Sequence, residues 1–203
     1  MKKIVIATFN KNKAREYGEI MAGLPLDIVC LEDYKNSVSP EENGKTFQEN
    51  ALIKARYAAE LTGEWALGDD TGLEVQSLGG EPGIYSARYA GPECNSDDNC
   101  RLLLAKMQRL AKKERSARFV CCLALAIPGG NNYFVHGIVP GLITESHFGS
   151  GGFGYDSLFL PDGHDKTFAQ MLPEEKNAIS HRRKALQLML PIIEEKLKLL
   201  GKH

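Results

Sequence analysis

The sequence lacks any hydrophobic run long enough to cross a membrane. A spanning helix takes about 20 consecutive apolar residues, and the longest apolar run here, Phe119 to Ile127, is less than half that length. The apolar run near the start, Ile4 to Ala7, is also too short for a signal peptide and leads into a strand-to-helix pattern. We therefore expect a soluble cytoplasmic protein that does not associate with membranes.

The sequence also lacks an excess of charge of either sign. Its 25 basic residues face 26 acidic ones, so the formal net charge is −1. Proteins that bind the phosphate backbone of nucleic acids without sequence preference depend on clustered positive charge. We therefore expect no nucleic-acid partner, while a small charged ligand remains an option.

Cysteines are few, and their spacing matches no metal-binding motif. Their number is odd, and several lie in apolar runs typical of strands. The five are Cys30, Cys94, Cys100, Cys121 and Cys122. This usage favours a reducing compartment in which thiols serve as small hydrophobic side chains.

The 203 residues are enough for one substantial domain. Apolar patterns and turn residues predict several strands, with Pro140–Gly141 as a break or bulge in the second last of them. They cover Lys3–Thr8, Leu26–Cys30, Trp65–Leu67, Leu73–Val75, Ala117–Ile127, Tyr133–Gly137, Ile138–Ser146 and Ser157–Leu160. Helices are predicted after Asn10, after a capping box at Thr46 and Glu49, over Ser96–Lys112 with Ser96 as cap, and from Pro173 onward. The later strands follow one another without helices, which predicts an antiparallel part of the sheet.

The stretch from Gly68 to Leu73 places two adjacent carboxylates after the apolar run Trp65 to Leu67. We predict that this buried strand stops at the carboxylates, and strand ends are common ligand sites in α/β sheets. Because neighbouring side chains in extended chain face opposite ways, Asp69 and Asp70 should have different roles. An ordinary turn rich in aspartate is the alternative.

Two further polar stretches precede it. The turn from Thr8 to Lys13 brings a hydroxyl, amides and cations to a helix N-terminus, where an anion is favoured. Cations there oppose the helix dipole, which indicates an anionic partner, although a solvated basic first turn is the alternative. Glu41 and Glu42 lie in a loop, where acids are usually solvated unless they share a cation with Asp70.

Of two later stretches, the first is rich in glycine and the second in hydrogen-bond donors. From Gly149 to Asp156, glycines alternate with aromatic rings, so Phe153 is a candidate for stacking on a base, with a flexible linker as the alternative. Ser180 to Arg183, together with Lys176, forms a patch of hydrogen-bond donors. Taken alone, the patch is better explained as a solvated basic helix face, because charge runs on helices mostly face water.

Four of these stretches, taken in order, resemble the signature segments of the non-canonical purine nucleoside triphosphate pyrophosphatases, also called inosine triphosphatases or dITP/XTP pyrophosphatases. They are Thr8–Lys13, Asp69–Leu73, Gly151–Asp156 and Ser180–Arg182. The loop Gly79–Tyr89 resembles a further family segment. Two departures are Ser157, where the family often has proline, and Lys45, where it usually has a small or apolar residue.

The resemblance implies cleavage of a nucleoside triphosphate to the monophosphate and pyrophosphate, with Mg²⁺ and as a homodimer. Glu42 and Asp70 would bind Mg²⁺, with Glu41 left open as an alternative to Glu42. Asp70 would also activate the attacking water, Asp69 would support it, and Lys13 would offset charge on the leaving pyrophosphate. Thr8, Asn10 and Lys13 would hold the phosphates, and further contacts to the substrate are expected from Phe9, Lys11, Asn12 and Thr71.

For the base, the resemblance implies donors from Lys176, His181 and Arg182 to the purine 6-oxygen, which adenine lacks. Phe153 would stack on the base and Asp156 would bond its edge, with Gly154 and Tyr155 beside them. Two other functions stay open: a metal-dependent phosphohydrolase for another nucleotide, and a nucleotide-binding module without catalysis.

The architecture expected from the resemblance is a mixed α/β fold. It has a long twisted sheet with flanking helices, formed by residues 1–203 as a single domain of two lobes with a central nucleotide-binding cleft.

Overall fold

The structure, a computed structural model, contains one mixed six-stranded sheet. It describes residues 2–93 and 95–200, apart from the side chain of residue 200, so Cys94 lies outside the described residues. The strands are β1 (Lys2–Ile6), β2 (Leu26–Cys30), β3 (Trp65–Val75), β4 (Ser116–Ala126), β5 (Asn132–Ile143) and β6 (Phe159–Pro161). They lie in the order β2-β1-β3-β4-β5-β6, with β1 parallel to β2 and β3, and β5 antiparallel to β6. The predicted mixed α/β fold is confirmed.

Five α-helices accompany the sheet in the described part of the chain. They are α1 (Lys11–Ile20), α2 (Phe47–Thr62), α3 (Ser96–Lys106), α4 (Pro173–Ile179) and α5 (His181–Leu200). None of the helices described is long and apolar enough to cross a membrane. The helical region predicted from Pro173 onward divides at Ser180 into α4 and α5.

Side chains fix where the helices begin. The Asn10 carboxamide oxygen accepts from the backbone N–H groups of Asn12 and Lys13, at 3.0 and 3.2 Å, as predicted. Thr46 caps α2 by accepting from Glu49, but the Glu49 carboxylate bonds the N–H of Lys45, one residue before the expected position.

The cap and the end of α3 correct two predictions. Asn95, rather than Ser96, caps the helix, because its side chain accepts from the N–H groups of Asp97 and Asp98. The helix also ends at Lys106 instead of Lys112, and the N–H of Met107 bonds the carbonyls of the last turn.

Two strands are longer than the sequence indicated. β3 continues through Asp69 and Asp70, so the predicted strand end there is wrong. Both carboxylates find partners on their own face of the strand, which removes the need for a turn. β5 likewise continues through Pro140 and Gly141, where a break or bulge was predicted. Gly141 serves instead to let β6 approach, because a Cβ there would lie 2.7 Å from the ring of Phe159.

The chain forms two compact units. The first consists of the described parts of Met1–Asp70, Cys121–Gly137 and Arg182–His203, and the second of Thr71–Val120 and Ile138–His181. Strands β3, β4 and β5 each contribute residues to both. The apolar core of the first unit includes Ile4, Ile6, Tyr17, Leu67, Leu123 and Met189, and that of the second includes Leu73, Leu103, Phe119, Tyr155, Phe159 and Phe168.

Candidate active site

A network of buried charges surrounds Asp69 in the first unit. The Asp69 side chain, 1% exposed, forms ion pairs with Lys13 and with Arg182, whose Nε lies 3.0 Å from Oδ2. The Tyr17 hydroxyl donates to the same Oδ2 at 2.8 Å, and the Arg182 guanidinium also pairs with Glu16 at 2.6 Å. We call Lys13, Glu16, Asp69 and Arg182 the charge network. Two cations and two carboxylates balance each other in it.

The electrostatics of the network keep Asp69 ionised. Burial alone would raise the pKa of this carboxyl, because the charged form loses hydration. The positive charges of Lys13 and Arg182 outweigh that effect and hold the pKa of Asp69 well below its ordinary value. The same burial, with the charge of Asp69 close by, raises the pKa of the Tyr17 hydroxyl, so it remains a donor. Asp69 is therefore a fixed anion that positions Lys13.

Asp70 points the other way and forms a separate group. Lys54 of α2 places its ammonium nitrogen 2.9 Å from Oδ1 of Asp70 and 3.0 Å from Oε2 of Glu42. The Asn50 carboxamide donates to the second Asp70 oxygen at 3.3 Å. We call Glu42, Lys54 and Asp70 the carboxylate–lysine triad. Asp69 and Asp70 therefore contact different partners, as expected for neighbouring side chains that face opposite ways in a strand.

Gly68 explains how α2 reaches this position. A Cβ on Gly68 would overlap the carbonyl oxygen of Ala51 and lie 2.6 Å from the backbone nitrogen of Ala55. Only glycine lets the helix and β3 come this close. The close approach brings Asn50 and Lys54, four residues apart on one face of α2, beside Asp70.

The two carboxylates of the triad suit a divalent cation. Glu42 and Asp70 both direct an oxygen at one cation-sized position, whereas Glu41 is exposed, which favours Glu42 as the ligand. Among the described residues, no three His, Cys, Asp or Glu side chains cluster as a metal cage. Two carboxylates suit Mg²⁺, which usually keeps several waters and takes further ligands from substrate phosphates.

Burial and nearby charge also set the protonation of the triad. Burial raises the pKa of Asp70, and Glu42 adds to the rise, while Lys54 opposes it without cancelling it. Burial lowers the pKa of Lys54, but Asp70 and Glu42 reverse this and raise it overall, so Lys54 carries its charge. Asp70 is therefore a stronger base than an ordinary aspartate.

The turn before α1 is compact and partly exposed. The N–H of Asn10 donates to the Thr8 hydroxyl at 3.1 Å, and Asn10 in turn caps the helix, as described above. Phe9 and Lys11 are exposed, Asn12 is half-buried, and Lys13 reaches inward to the charge network. Of the residues expected at the phosphates, the structure thus connects Lys13 directly to Asp69.

A second group of predicted residues meets inside the second unit. The Lys176 ammonium donates to the Asp156 carboxylate at 2.6 Å, and the N–H of Phe153 donates to the same oxygen at 2.9 Å. The ammonium also lies 4.9 Å from the centre of the Phe153 ring. We call Phe153, Asp156 and Lys176 the aromatic–lysine group. Gly152, with φ of +70°, leaves room for it, since a Cβ there would overlap the Asp156 carboxylate.

The remaining residues predicted to contact the substrate occupy varied positions. Tyr155 is buried and donates to the carbonyl of Ser86 at 2.9 Å, while Gly154 accepts from the Cys100 thiol. His181 is buried and stacks on Phe119, with ring centres 4.7 Å apart. Arg182 belongs to the charge network, and Thr71 is half-buried at the start of the second unit's part of β3. For these five residues, contact with a base or phosphate remains a prediction.

Sequence reasoning missed several residues that contact the predicted ones, among them Glu16, Tyr17, Asn50 and Lys54. Their spacing along the helices could have identified them. Glu16 and Tyr17 lie three and four residues after Lys13 on α1, and Asn50 and Lys54 share one face of α2. Each pair thus forms a polar or mixed patch on an otherwise apolar side of its helix.

The predicted family resemblance is confirmed by comparison with known proteins. The sequence model of the Ham1 family matches residues 4–192. The dITP/XTP pyrophosphatase of Geobacter sulfurreducens is 47% identical over 189 residues, which cover 93% of this chain and 95% of that protein. The dITP/XTP pyrophosphatase of Thermus thermophilus is 50% identical over 188 residues, with 93% and 90% covered.

Solved structures give the same result. The Staphylococcus aureus Ham1 protein matches with a TM-score of 0.85 at 38% identity, over 96% of this chain and 100% of that one. The HAM1 protein of Coxiella burnetii matches with a TM-score of 0.86 at 37% identity, again over 96% and 100%. In sequence and in fold alike, the chain belongs to the Ham1 family.

Proposed function

We propose that this protein hydrolyses non-canonical purine nucleoside triphosphates, namely ITP, dITP and XTP, to the monophosphate and pyrophosphate, and so removes them from the nucleotide pool. The observation that carries the proposal is the carboxylate–lysine triad, in which Glu42 and Asp70 face one cation position. Relatives named dITP/XTP pyrophosphatases, at 41–50% identity, support the choice of substrate.

Asp70 is the catalytic base in this proposal. In this role its carboxylate would take up a proton from the attacking water as the water oxygen bonds to phosphorus. The anhydride bond between the α and β phosphates then breaks, and its electron pair leaves with pyrophosphate. Glu42 and Asp70 would hold Mg²⁺, which when bound neutralises phosphate charge.

Lys13 and the turn before α1 bind the phosphates. Asp69 holds the Lys13 ammonium in place, so the ammonium does not have to reorient when the substrate binds. The start of α1 adds backbone N–H groups and a favourable dipole for an anion. A fixed cation and a helix N-terminus together stabilise the negative charge that grows on the leaving pyrophosphate.

The aromatic–lysine group recognises the base. Phe153 offers a ring for stacking, and Asp156 orients the Lys176 ammonium next to that ring. A donor held there suits the 6-oxygen of hypoxanthine or xanthine and meets another donor in adenine. Unpaired donors of this kind reject a substrate by orders of magnitude.

A substrate panel tests the function. ITP, dITP, XTP, ATP, GTP and CTP are incubated with protein and Mg²⁺, and pyrophosphate and orthophosphate are measured separately. We expect pyrophosphate from the first three and little product from ATP. Preferential hydrolysis of ATP, or release of orthophosphate, contradicts the proposal, and binding of ITP without turnover indicates a nucleotide-binding module instead.

Asp70→Asn tests the catalytic base. We expect turnover of ITP to fall by about 10²-fold or more, since general base catalysis contributes about 10²–10⁴. Binding of ITP, measured by calorimetry, should change little. Asp98→Asn is the matched control, because Asp98 pairs with Arg101 on the surface. A near-normal rate for Asp70→Asn removes the catalytic assignment.

Lys176→Ala tests base recognition. We expect kcat/KM for ITP to fall far more than the residual hydrolysis of ATP, because only the 6-oxygen accepts from this donor. Lys166→Ala, at an exposed lysine 3.9 Å from Glu175, is the control. Equal losses for both nucleotides mean that Lys176 stabilises the fold and does not read the base.

We further propose that the protein acts as a homodimer in the cytoplasm. The four cysteines in the described residues are all free thiols, which supports a reducing compartment. Light scattering after size-exclusion chromatography should give about twice the chain mass of 22.4 kDa. A mass equal to that of one chain at micromolar concentration contradicts the dimer.

A further inference from the structure

Lys54 occupies the position between the two carboxylates assigned to the metal. Its side chain is 10% exposed, and its ammonium nitrogen lies within 3.0 Å of both Asp70 and Glu42. This residue is therefore a built-in cation at the site. It neutralises one of the two negative charges, which would otherwise repel each other in a poorly hydrated position.

The backbone under Lys54 leaves little freedom. Gly68 lets α2 approach β3 so closely that a single added carbon would overlap the helix backbone. Lys54 comes from this same closely packed part of α2. Rotation of its long, flexible side chain can carry the ammonium out of the position between Glu42 and Asp70 without a shift of the helix.

A divalent ion and an ammonium group compete for the same oxygens. Like charges at contact distance repel strongly where water is largely excluded. Binding of the metal to Glu42 and Asp70 therefore requires the Lys54 ammonium to leave its present contacts. The energy of two short ion pairs, at 2.9 and 3.0 Å, is lost in that step.

We propose that Lys54 acts as an internal competitor of the metal, which keeps divalent-metal binding by the free protein weak until its ammonium is displaced. The inference rests on the proposed function for the identity of the metal ligands. The exchange involves no covalent step, only side-chain rotation and the arrival of the ion.

Binding of Mn²⁺, followed by electron paramagnetic resonance without nucleotide at pH 8, tests the competition. We expect Lys54→Met to bind Mn²⁺ about tenfold tighter or more than the unaltered protein, since a competing positive charge is gone. Lys196→Met, at a lysine paired with Glu195 at 2.8 Å, should leave binding unchanged. Adding Glu42→Gln to Lys54→Met should reverse the gain, which would show that the ion is bound at the triad.

Unchanged or weaker Mn²⁺ binding by a folded Lys54→Met protein overturns the inference. A second measurement needs no variant, in case this one fails to fold. Brief acetylation of the unaltered protein, read by mass spectrometry, should modify Lys54 faster when Mn²⁺ is present, while Lys196 reacts at a constant rate. Equal labelling of Lys54 with and without metal also overturns the inference.

Neither experiment contains a nucleotide, so their outcome is separate from that of the substrate panel. A protein that releases pyrophosphate from ITP yet shows no effect of Lys54 on Mn²⁺ retains the proposed function and loses this inference. One that shows the competition but does not cleave ITP retains a metal site and loses the proposed function.

Discussion

Replacing Asp69 with asparagine is expected to destabilise the protein strongly at neutral pH. The carboxylate accepts from Lys13, from the Tyr17 hydroxyl at 2.8 Å and from Arg182 Nε at 3.0 Å. A carboxamide offers only one oxygen, so its NH₂ group would face another donor. The charge network would also keep two cations against Glu16 alone, a net positive charge in a buried position.

The magnitude follows from the cost of breaking a buried ion pair on one side, about 3–5 kcal/mol. For a chain of this size, each kcal/mol lowers the melting temperature by about 2–4 °C, so we expect a fall of about 6–20 °C for Asp69→Asn. Thermal unfolding followed by circular dichroism measures it. Asp98→Asn, at the surface pair with Arg101, is the control and should cost about 0.5 kcal/mol or less.

The loss of stability caused by Asp69→Asn should also depend on pH and should become smaller as the pH falls. The pKa of Asp69 is lower in the folded chain than its ordinary value near 4 in the unfolded chain. Its stabilising contribution is therefore complete above about pH 4 and is lost as the pH falls through the folded-state pKa. The difference in unfolding free energy between the unaltered protein and Asp69→Asn should shrink below about pH 4. A loss under about 1 kcal/mol at pH 7, or a difference that stays constant with pH, refutes the reasoning.

Three further predictions concern neighbouring features. Gly68→Ala should cost about 1–3 kcal/mol in unfolding free energy, because the added methyl group meets the backbone of α2; an unchanged melting temperature contradicts this. Tyr17→Phe removes a donor to ionised Asp69 and should cost about 1.5–3 kcal/mol by urea unfolding, with a loss under about 0.5 kcal/mol as the contrary result. Burial raises the pKa of Cys100 and Cys122 to about 12, so both thiols should stay protonated and unlabelled by maleimide at pH 8 until the chain unfolds; rapid labelling in the native protein contradicts it.

Local patterns in the sequence were sufficient for most of the elements. Leu26–Cys30 is a strand with the predicted bounds, and Asn10 caps α1 through the expected N–H groups. Such features depend on interactions within a few residues, which sequence spacing specifies directly. Pro140–Gly141 misled the prediction because glycine has a second use in a strand, namely to admit a neighbouring strand.

Gly68 shows the same ambiguity at the site. Beside two aspartates it resembled the beginning of a turn, yet in the structure it gives α2 its close approach to an uninterrupted β3. Sequence alone cannot separate these cases, because the partner that requires the missing side chain belongs to a different element. The opposite orientation of the Asp69 and Asp70 side chains was predictable, because neighbouring side chains alternate in any extended segment, whether the strand stops there or continues.

The partners of the two aspartates come from distant parts of the chain, and this limits any reading of roles from motifs alone. Arg182 lies 113 residues after Asp69 and Lys54 lies 16 residues before Asp70, so neither contact could be read from local spacing. Because Arg182 pairs with Asp69 and Glu16, any Arg182 variant will disturb the charge network as well as any contact to a base. Loss of activity in such a variant is therefore no evidence for base recognition. Lys176 also belongs to a buried ion pair, with Asp156, so its role in base recognition is tested by the difference between the losses for ITP and for ATP.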